Sequence, residues 1–419
     1  MKIAIIGGGA AGLMTAATLV EEKVNAKIYL FEKNDVLGKK VSISGGGRCN
    51  VTTGITDKKE LLSKYIRGSQ FLIPALSAFS PKDVMDWFER NGVPLKIEKD
   101  LRAFPKSDIG SDVVNLFYKI LGKNQIVKLN LFETVKELRF FNEQFIIVTN
   151  KDEYGFDIVV ITSGGNAYKH TGSTGDGYDF AKACGHMITS LGPSLNSFEV
   201  KEDWIKRLSG LSFPDAKLTF ISDGEKKKEV VGPLLCTHFG VSGPVVFALS
   251  AHLAFSEISK LFPKKIKLNP SAIDHFDSYE RKLKTLILNN GAKQILNTLS
   301  ELIPKSFAEE LLTMANVPKD KKSAEVSKNE RNKICSLLSS DIELTLISRR
   351  KGDEFVTAGG VCLSEVNNKT MQSKLNSNLY LAGEVLDIDG LTGGFNLQSA
   401  WATGRLAGIN IAKRLLRPS

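Results

Sequence analysis

The 419-residue sequence predicts an α/β protein: a parallel sheet assembled from both ends of the chain and interrupted by an inserted domain, part β and part helical. Three observations carry that reading. An apolar run, Lys2–Ile6, leads directly into Gly7-x-Gly9-x-x-Gly12 and a helical stretch. The strand-turn-helix pattern returns near the far end, at Asn378–Glu384 followed by Gly393-Gly394. Between them, from about Asn196 to Asp353, β-like segments give way to a lysine-rich helical stretch.

The elements follow in order. Lys2–Ile6 reads as a buried parallel strand, since a short, nearly continuous apolar run is covered on both faces. A helix runs from about Ala10 to Glu22, and Lys27–Glu32 is a second strand ending in an acid. Val41 and Ile43 alternate ahead of a glycine run, Ser44-Gly45-Gly46-Gly47-Arg48-Cys49-Asn50. Pro81–Asn91 and about Ser111–Leu121 are helical, separated by a break at Arg102–Ser107. Ile126–Leu131, Thr134–Phe140 and Gln144–Thr149 alternate like antiparallel strands. Phe156–Thr162 is a buried strand that ends in Ser163-Gly164-Gly165. In the insertion, Lys217–Ser222 and Lys264–Leu268 are β-like and about Ser278–Leu338 is helix-like. Leu397–Leu415 is the last helix. The expected domains are residues 1–195 and 354–419 together, around an insertion at 196–353 with a helical part near 275–340.

Composition sets bounds. At 42% hydrophobic and 24% charged the chain reads as soluble and globular, and its length asks for more than one core. No apolar run is long enough to span a bilayer, so no membrane partner is expected. The N-terminal apolar stretch is too short for a signal peptide, which makes the cytoplasm the expected compartment. Five scattered cysteines without a C-x-x-C pair fit reduced thiols, and five histidines without H-x-x-x-H spacing argue against a held metal. Net charge is +10, with clusters at Lys226-Lys227-Lys228, Lys264-Lys265, Lys319 with Lys321-Lys322, and Arg349-Arg350-Lys351. These are solvated surface lysines or a field for an anionic partner. No aromatic interleaving accompanies them, so nucleic acid is not the expected partner.

The first motif works through geometry. Gly7 makes the turn, Gly9 lets backbone approach a pyrophosphate, and Gly12 lets the helix carrying Ala10 and Ala11 pack closely on the strand. Glu32 stands twenty positions past Gly12, the distance at which a carboxylate reaches a ribose hydroxyl. The glycine run Ser44–Asn50 offers a second close backbone approach, with Arg48 as a fixed cation for phosphate. The pair of motifs points to FAD more than to NAD. Cys49, without a partner cysteine nearby in sequence, reads as a small packing residue.

Two further glycine-rich segments matter. Ser163-Gly164-Gly165 with Thr171–Gly177 is either two turns or a wall of the cofactor site. At Gly383-Glu384…Asp387…Gly393-Gly394-Phe395-Asn396 a strand delivers carboxylates and glycines open a helix. A carboxylate there suits ribityl hydroxyls, and a helix N-terminus suits the ring edge where charge builds on reduction. In the insertion, His238 is an acid/base candidate or a capped turn histidine.

Together these blocks resemble the BaiN/RdsA-type flavoproteins, also described as aminoacetone oxidase-like FAD-binding enzymes. The resemblance runs essentially end to end. It rests on Gly7–Gly12, Lys39–Asn50, Phe104-Pro105-x-Ser107, Thr171–Gly177, Thr237–Pro244, Val356–Val361, Gly383–Asp387 and Gly393–Gln398. It implies a glutathione-reductase-type FAD domain, Rossmann-like, split by a β-barrel-like domain with a helical subdomain. It also implies FAD contacts at Gly7–Gly12, Glu32, Lys33, Lys40, Ser44–Asn50, Glu384, Asp387 and Gly394–Asn396. Gly164, Gly383 and Gly393 complete the expected site. Two departures stand out: Thr162-Ser163 where the family has Ala-Thr, and Ser399 where it has an aromatic.

The expected function is hydride transfer between a small organic substrate and oxygen or NAD(P)(H), with NAD(P)H as a transient donor. The alternatives are a flavin-dependent RNA-modifying protein and a non-catalytic flavin or nucleotide sensor. Substrate, electron acceptor, oligomeric state and any catalytic residue stay open.

Overall fold

The computed structural model describes residues 1–220, 227–339 and 342–416. It divides into two units: Met1–Ser194 with the chain from Glu354 on, and Leu195–Asp353.

The first unit is built on a five-stranded sheet. Its strands are β1 (Lys2–Ile6), β2 (Lys27–Phe31), β3 (Val127–Asn130), β4 (Ile158–Ile161) and β5 (Leu379–Leu381), in the order β5-β4-β1-β2-β3. Every pairing is parallel. In β1 only Lys2 is exposed, the mark of a strand covered on both faces. Ile5 lies opposite Leu30 on one side and Val160 on the other. The chain leaves β1 toward β2 and β3 and later returns to its other side as β4 and β5. That reversal opens a crevice at the carboxyl end of β1, where ligands bind in open α/β sheets.

Helix α1 (Ala10–Glu21) follows β1, and the last helix, Phe395–Leu416, lies along it. Small residues make the approach. A methyl group at Gly404 would come within 2.4 Å of Ala11 O, and one at Gly408 within 2.7 Å of Thr18 Cβ. Thr15 Oγ1 donates to Gly404 O at 3.0 Å. Trp401, fully buried, stacks on Phe117 at 5.7 Å and donates to Val51 O at 3.0 Å. The two ends of the chain therefore share one core.

Three local expectations are corrected. Ile126–Leu131 does not join an antiparallel meander: Val127–Asn130 is β3 and runs parallel to β2. Alternation reports a half-buried face, not strand direction. The antiparallel sheet consists instead of Val135–Phe141, Gln144–Thr149 and Glu153–Phe156, its first turn made by Asn142 and Glu143 at φ 46° and 63°. The break at 102–107 contains a strand, Arg102–Pro105, between Thr52–Thr53 and Leu95–Ile97. Pro105 sits at its last position, where the missing N–H costs least. Val41 and Ile43 lie not on a strand but on a short helix, α2 (Lys39–Ile43), with Val41 buried and Ile43 exposed.

The second unit is a closed barrel of six antiparallel strands. They are Phe198–Val200, Ser212–Phe220, Lys228–Cys236, Gly240–Ser242, Lys264–Asn269 and Ile342–Arg349. Ile266, Leu268, Leu344 and Leu346 point inward, while Lys265, Lys267 and Glu343 point out. Between the last two strands the described residues form four α-helices, Phe276–Asn289, Ile295–Leu299, Lys305–Ala315 and Lys328–Ser339, and a short 3-10 turn at Ser323–Glu325. The single helix-like stretch Ser278–Leu338 is thus broken, at Pro304 and at Asn316 (φ 58°) among other points. Phe307, Leu311 and Ile334 share one core with the barrel interior. Ser222 and Lys226 lie outside the described residues.

Candidate dinucleotide site

The site is built at the carboxyl end of β1. Gly7 leaves the strand at φ 107°, a conformation L side chains rarely adopt, and a methyl group there would meet Thr162 O at 2.7 Å. One at Gly12 would come within 2.0 Å of Gly7 O, so helix and turn touch backbone to backbone. Gly9 is the N-cap of α1 and supplies no side-chain cap, which leaves the first N–H groups of α1 with unmet donors. Ala10 and Ala11 begin the helix behind it and are buried.

Glu32, just past β2, closes the unit. Its Oε2 accepts from Gly8 N–H at 2.9 Å, and its Oε1 accepts from the backbone and side-chain amides of Asn34 at 2.9 and 2.7 Å. The carboxylate thus stands at the lip of the glycine turn. Lys33 pairs with Asp176 and donates to Thr174 Oγ1 at 2.7 Å. Asn34 Nδ2 donates to Thr171 O at 2.9 Å. The segment Thr171–Gly177 therefore borders the end of β2.

The glycine run follows α2 as a tight loop. Gly45, Gly46 and Gly47 have φ of 58°, 71° and 87°, and Cys49 has 60°. Cys49 N–H and Gly47 N–H both donate to Ser44 O, at 2.9 and 3.2 Å. Cys49 is fully buried, and burial pushes its thiol up to about 12 against a hydrogen bond with Ser44. Burial of this kind disfavours the thiolate and suits a packing role. The contacts of Arg48 lie outside the glycine run. Its guanidinium reaches Glu98 at 2.7 Å and Asp108 at 3.4 Å and stacks on Phe104 at 3.9 Å.

Lys40, on α2, ion-pairs with Glu384 Oε2 at 2.8 Å. Glu384 Oε1 accepts from Thr357 N–H at 3.0 Å. Gly383, just past β5 at φ 81°, has its N–H held by Thr403 Oγ1 at 3.0 Å and leaves no room for a side chain beside Ala11. Asp387 Oδ2 accepts from Thr189 Oγ1 at 3.1 Å. Asn50 joins the two halves of the site. With each amide atom facing a suitable partner, its oxygen accepts from Gly394 N–H at 2.9 Å and its nitrogen donates to Thr52 O at 3.0 Å. Gly393 and Gly394 (φ 130° and 89°) open the last helix, and a methyl group at Gly394 would sit 2.3 Å from Thr52 O. The Phe395 carbonyl accepts from Tyr65 OH at 2.9 Å. The Asn396 side chain brackets Gly390, donating to its O and accepting from its N. Gly164 (φ 78°) faces Ser173 Oγ.

Some of the arrangement was beyond the motifs. Thr357 and Thr189 orient the two acids. The Val356–Val361 block of the resemblance flagged Thr357, whereas nothing local flagged Thr189. Asp389, fully buried, pairs with Arg67 and accepts from Ser194 Oγ at 2.8 Å. Burial raises its pKa, with the Arg67 guanidinium opposing.

The cleft suits a ligand rich in phosphate and hydroxyl groups. Methyl groups added at Gly9, Gly46 or Gly47 would touch nothing within 4 Å, so these backbones face open space. Buried Ser163 Oγ, Asn166 Oδ1 and Asp387 Oδ1 have no hydrogen-bond partner among the described residues. Among the described residues no cluster of His, Cys, Asp and Glu is arranged to hold a metal. No described helix is long and apolar enough to cross a membrane.

A glycine turn on a parallel sheet, with an acid at the end of the next strand, defines a Rossmann-type dinucleotide-binding protein, here with a barrel inserted. The chain belongs to the HI0933-like Rossmann-domain family, which matches residues 1–410. It is 28% identical over 416 residues to a 3-dehydro-bile acid delta(4,6)-reductase of Clostridium scindens, covering 99% of each chain. It is 27% identical to a ribosomal RNA dihydrouridine synthase of Haemophilus influenzae, covering 98% of each. Among solved structures it resembles an E. coli quinol fumarate reductase chain, FrdA, with TM-score 0.51 at 13% identity, covering 99% of this chain and 70% of that one. That last likeness is one of fold.

Proposed function

We infer that the protein is an FAD-dependent oxidoreductase that reduces a carbon–carbon double bond conjugated with a carbonyl. The observation that carries the cofactor assignment is Glu32 Oε2 at 2.9 Å from Gly8 N–H, beside the uncapped N-terminus of α1. There the helix end suits pyrophosphate and the acid a ribose hydroxyl. Lys40 with Glu384, Asp387, and the helix start at Gly394–Asn396 would hold the ribityl chain and the ring. FAD, when bound, supplies a hydride at its ring and takes two electrons from a donor such as NAD(P)H.

The names of the relatives support the reaction class. A delta(4,6)-reductase of a 3-dehydro steroid and a synthase of dihydrouridine both add two hydrogens across a ring double bond. In uracil that bond is conjugated with the C4 carbonyl. Such a substrate takes hydride at its β-carbon and a proton at its α-carbon. The residues of the cleft position the acceptor, and the helix N-terminus at Gly394 favours negative charge next to it.

A second reading keeps the chemistry and changes the substrate to uridine in RNA. Two relatives of that name, at 27% and 26% identity, favour it, as does the +10 net charge. The test is anaerobic. Flavin-loaded protein reduced with NADH or NADPH is mixed with a steroid dienone or with unmodified ribosomal RNA, and reoxidation is followed. Reoxidation by neither, at rates above free flavin, refutes the reductase reading.

A further inference from the structure

The turn that follows the Pro244–His252 helix of the barrel unit presents a compact apolar tip. Leu261 is 85% exposed, and Phe255 and Phe262 are each 53% exposed. Side chains of this size within eight residues form a patch that water does not favour. The turn is stiff. Ser259 and Phe262 exchange backbone hydrogen bonds at 3.3 and 3.1 Å, and Ser259 Oγ also accepts from Phe262 N–H at 3.2 Å. Its base is pinned from within the same unit: Arg349 donates to Ser256 O at 2.9 Å and to Leu253 O, while Leu253 and Ile258 are buried.

Two lysines flank the tip: Lys260 precedes Leu261 and Lys264 follows Phe262, neither with an acidic partner within salt-bridge distance among the described residues, whereas Lys267 lies opposite Glu343 further along the strand. Lys265 is paired with Glu343 at 2.7 Å, and Glu257 is the acid within the turn. We propose that this Leu261–Phe262 turn, flanked by Lys260 and Lys264, docks the protein on an anionic lipid surface. Apolar side chains enter the headgroup boundary while lysines stay at the phosphates. A second copy of the same basic surface would be repelled. The most exposed side chain, Leu261, suits a headgroup boundary better than a base, while Phe255 and Phe262 offer ring faces, so RNA is the competing occupant that the test separates. Surface attachment needs no spanning helix, so the lack of one does not oppose it. The inference stands independently of the oxidoreductase reading.

The test is co-sedimentation of the full-length protein with vesicles of phosphatidylcholine, with and without phosphatidylglycerol. Wild type should pellet with the anionic vesicles and much less with the neutral ones. Leu261→Glu/Phe262→Glu should weaken pelleting by about tenfold or more at an unchanged melting temperature. Lys260→Glu should weaken it several-fold, and Phe262→Trp should bind and shift its emission to the blue. Wild type that stays in solution, or a double variant that pellets like wild type, overturns the proposal. So does a wild-type dimer that the double variant dissolves. Loss of ribosomal RNA binding in that variant, without vesicle binding by wild type, overturns it in favour of a nucleic-acid surface.

Discussion

Lys40 Nζ lies 2.8 Å from Glu384 Oε2, joining the helix that precedes the glycine run to the strand end 344 residues later. The pair is partly buried, with side chains 29% and 19% exposed, and Thr357 N–H holds the other carboxylate oxygen. Glu384→Ala removes both contacts and leaves Lys40 without its acidic partner. It should weaken FAD binding by ~1.5–3 kcal/mol, the range for hydrogen bonds to charged groups, or roughly tenfold to a hundredfold in Kd. Flavin fluorescence titration of the unfolded-and-refolded protein measures it, and unchanged affinity removes Glu384 from the site.

Asn50 and Gly394 make the second bridge. Gly394 combines φ 89° with a backbone oxygen 2.3 Å from where a methyl group would go. Gly394→Ala must therefore shift the Thr52 strand or the start of the last helix. We expect a loss of about 1–3 kcal/mol, seen as a melting temperature lower by several degrees, together with weaker flavin binding. Asn50→Ala should reproduce the binding loss with a smaller thermal one.

Cys49 should be dispensable for chemistry. Its thiol is fully buried and pushed up to about 12. Cys49→Ala should keep turnover within about twofold and cost ~1 kcal/mol of stability through the small cavity. The native thiol should react with an aromatic disulfide reagent only as fast as the protein opens. Fast native labelling that abolishes activity would overturn this.

A pH effect on stability follows from His186. Its side chain is fully buried, bonded to Glu365 at 3.1 Å through Nδ1 and to Ser373 Oγ at 2.8 Å through Nε2. Burial lowers its pKa below the ordinary 6.5, with Glu365 opposing. The unfolded chain then binds the proton first as pH falls, so the contribution is complete above about 6.5 and shrinks below it. Denaturant midpoints measured from pH 8 to 5 should fall with pH, and less steeply for His186→Gln. Parallel curves for the two proteins would contradict it.

The amino-acid sequence makes some of this legible and hides the rest for physical reasons. Lys2–Ile6, Gly7–Gly12 and the last helix are readable because their patterns are local: an apolar run, a turn that only glycine permits, and a long helical stretch. The direction of Val127–Asn130 is not local, because alternation looks the same in either orientation. The partners of Arg48 are equally hidden, because Glu98, Asp108 and Phe104 meet its guanidinium from fifty and more positions away. Thr189, which orients Asp387, sits in a segment with no composition signal at all. Long-range partners of this kind appear only once the chain has folded.

The most direct test of the central claim is the visible absorption spectrum of the purified protein after incubation with FAD and removal of the excess. The account predicts the two bands of oxidised flavin at one per chain, with Glu32→Ala markedly depleted. A wild-type protein that stays colourless, or an E32A protein that retains flavin as tightly as wild type, would contradict it.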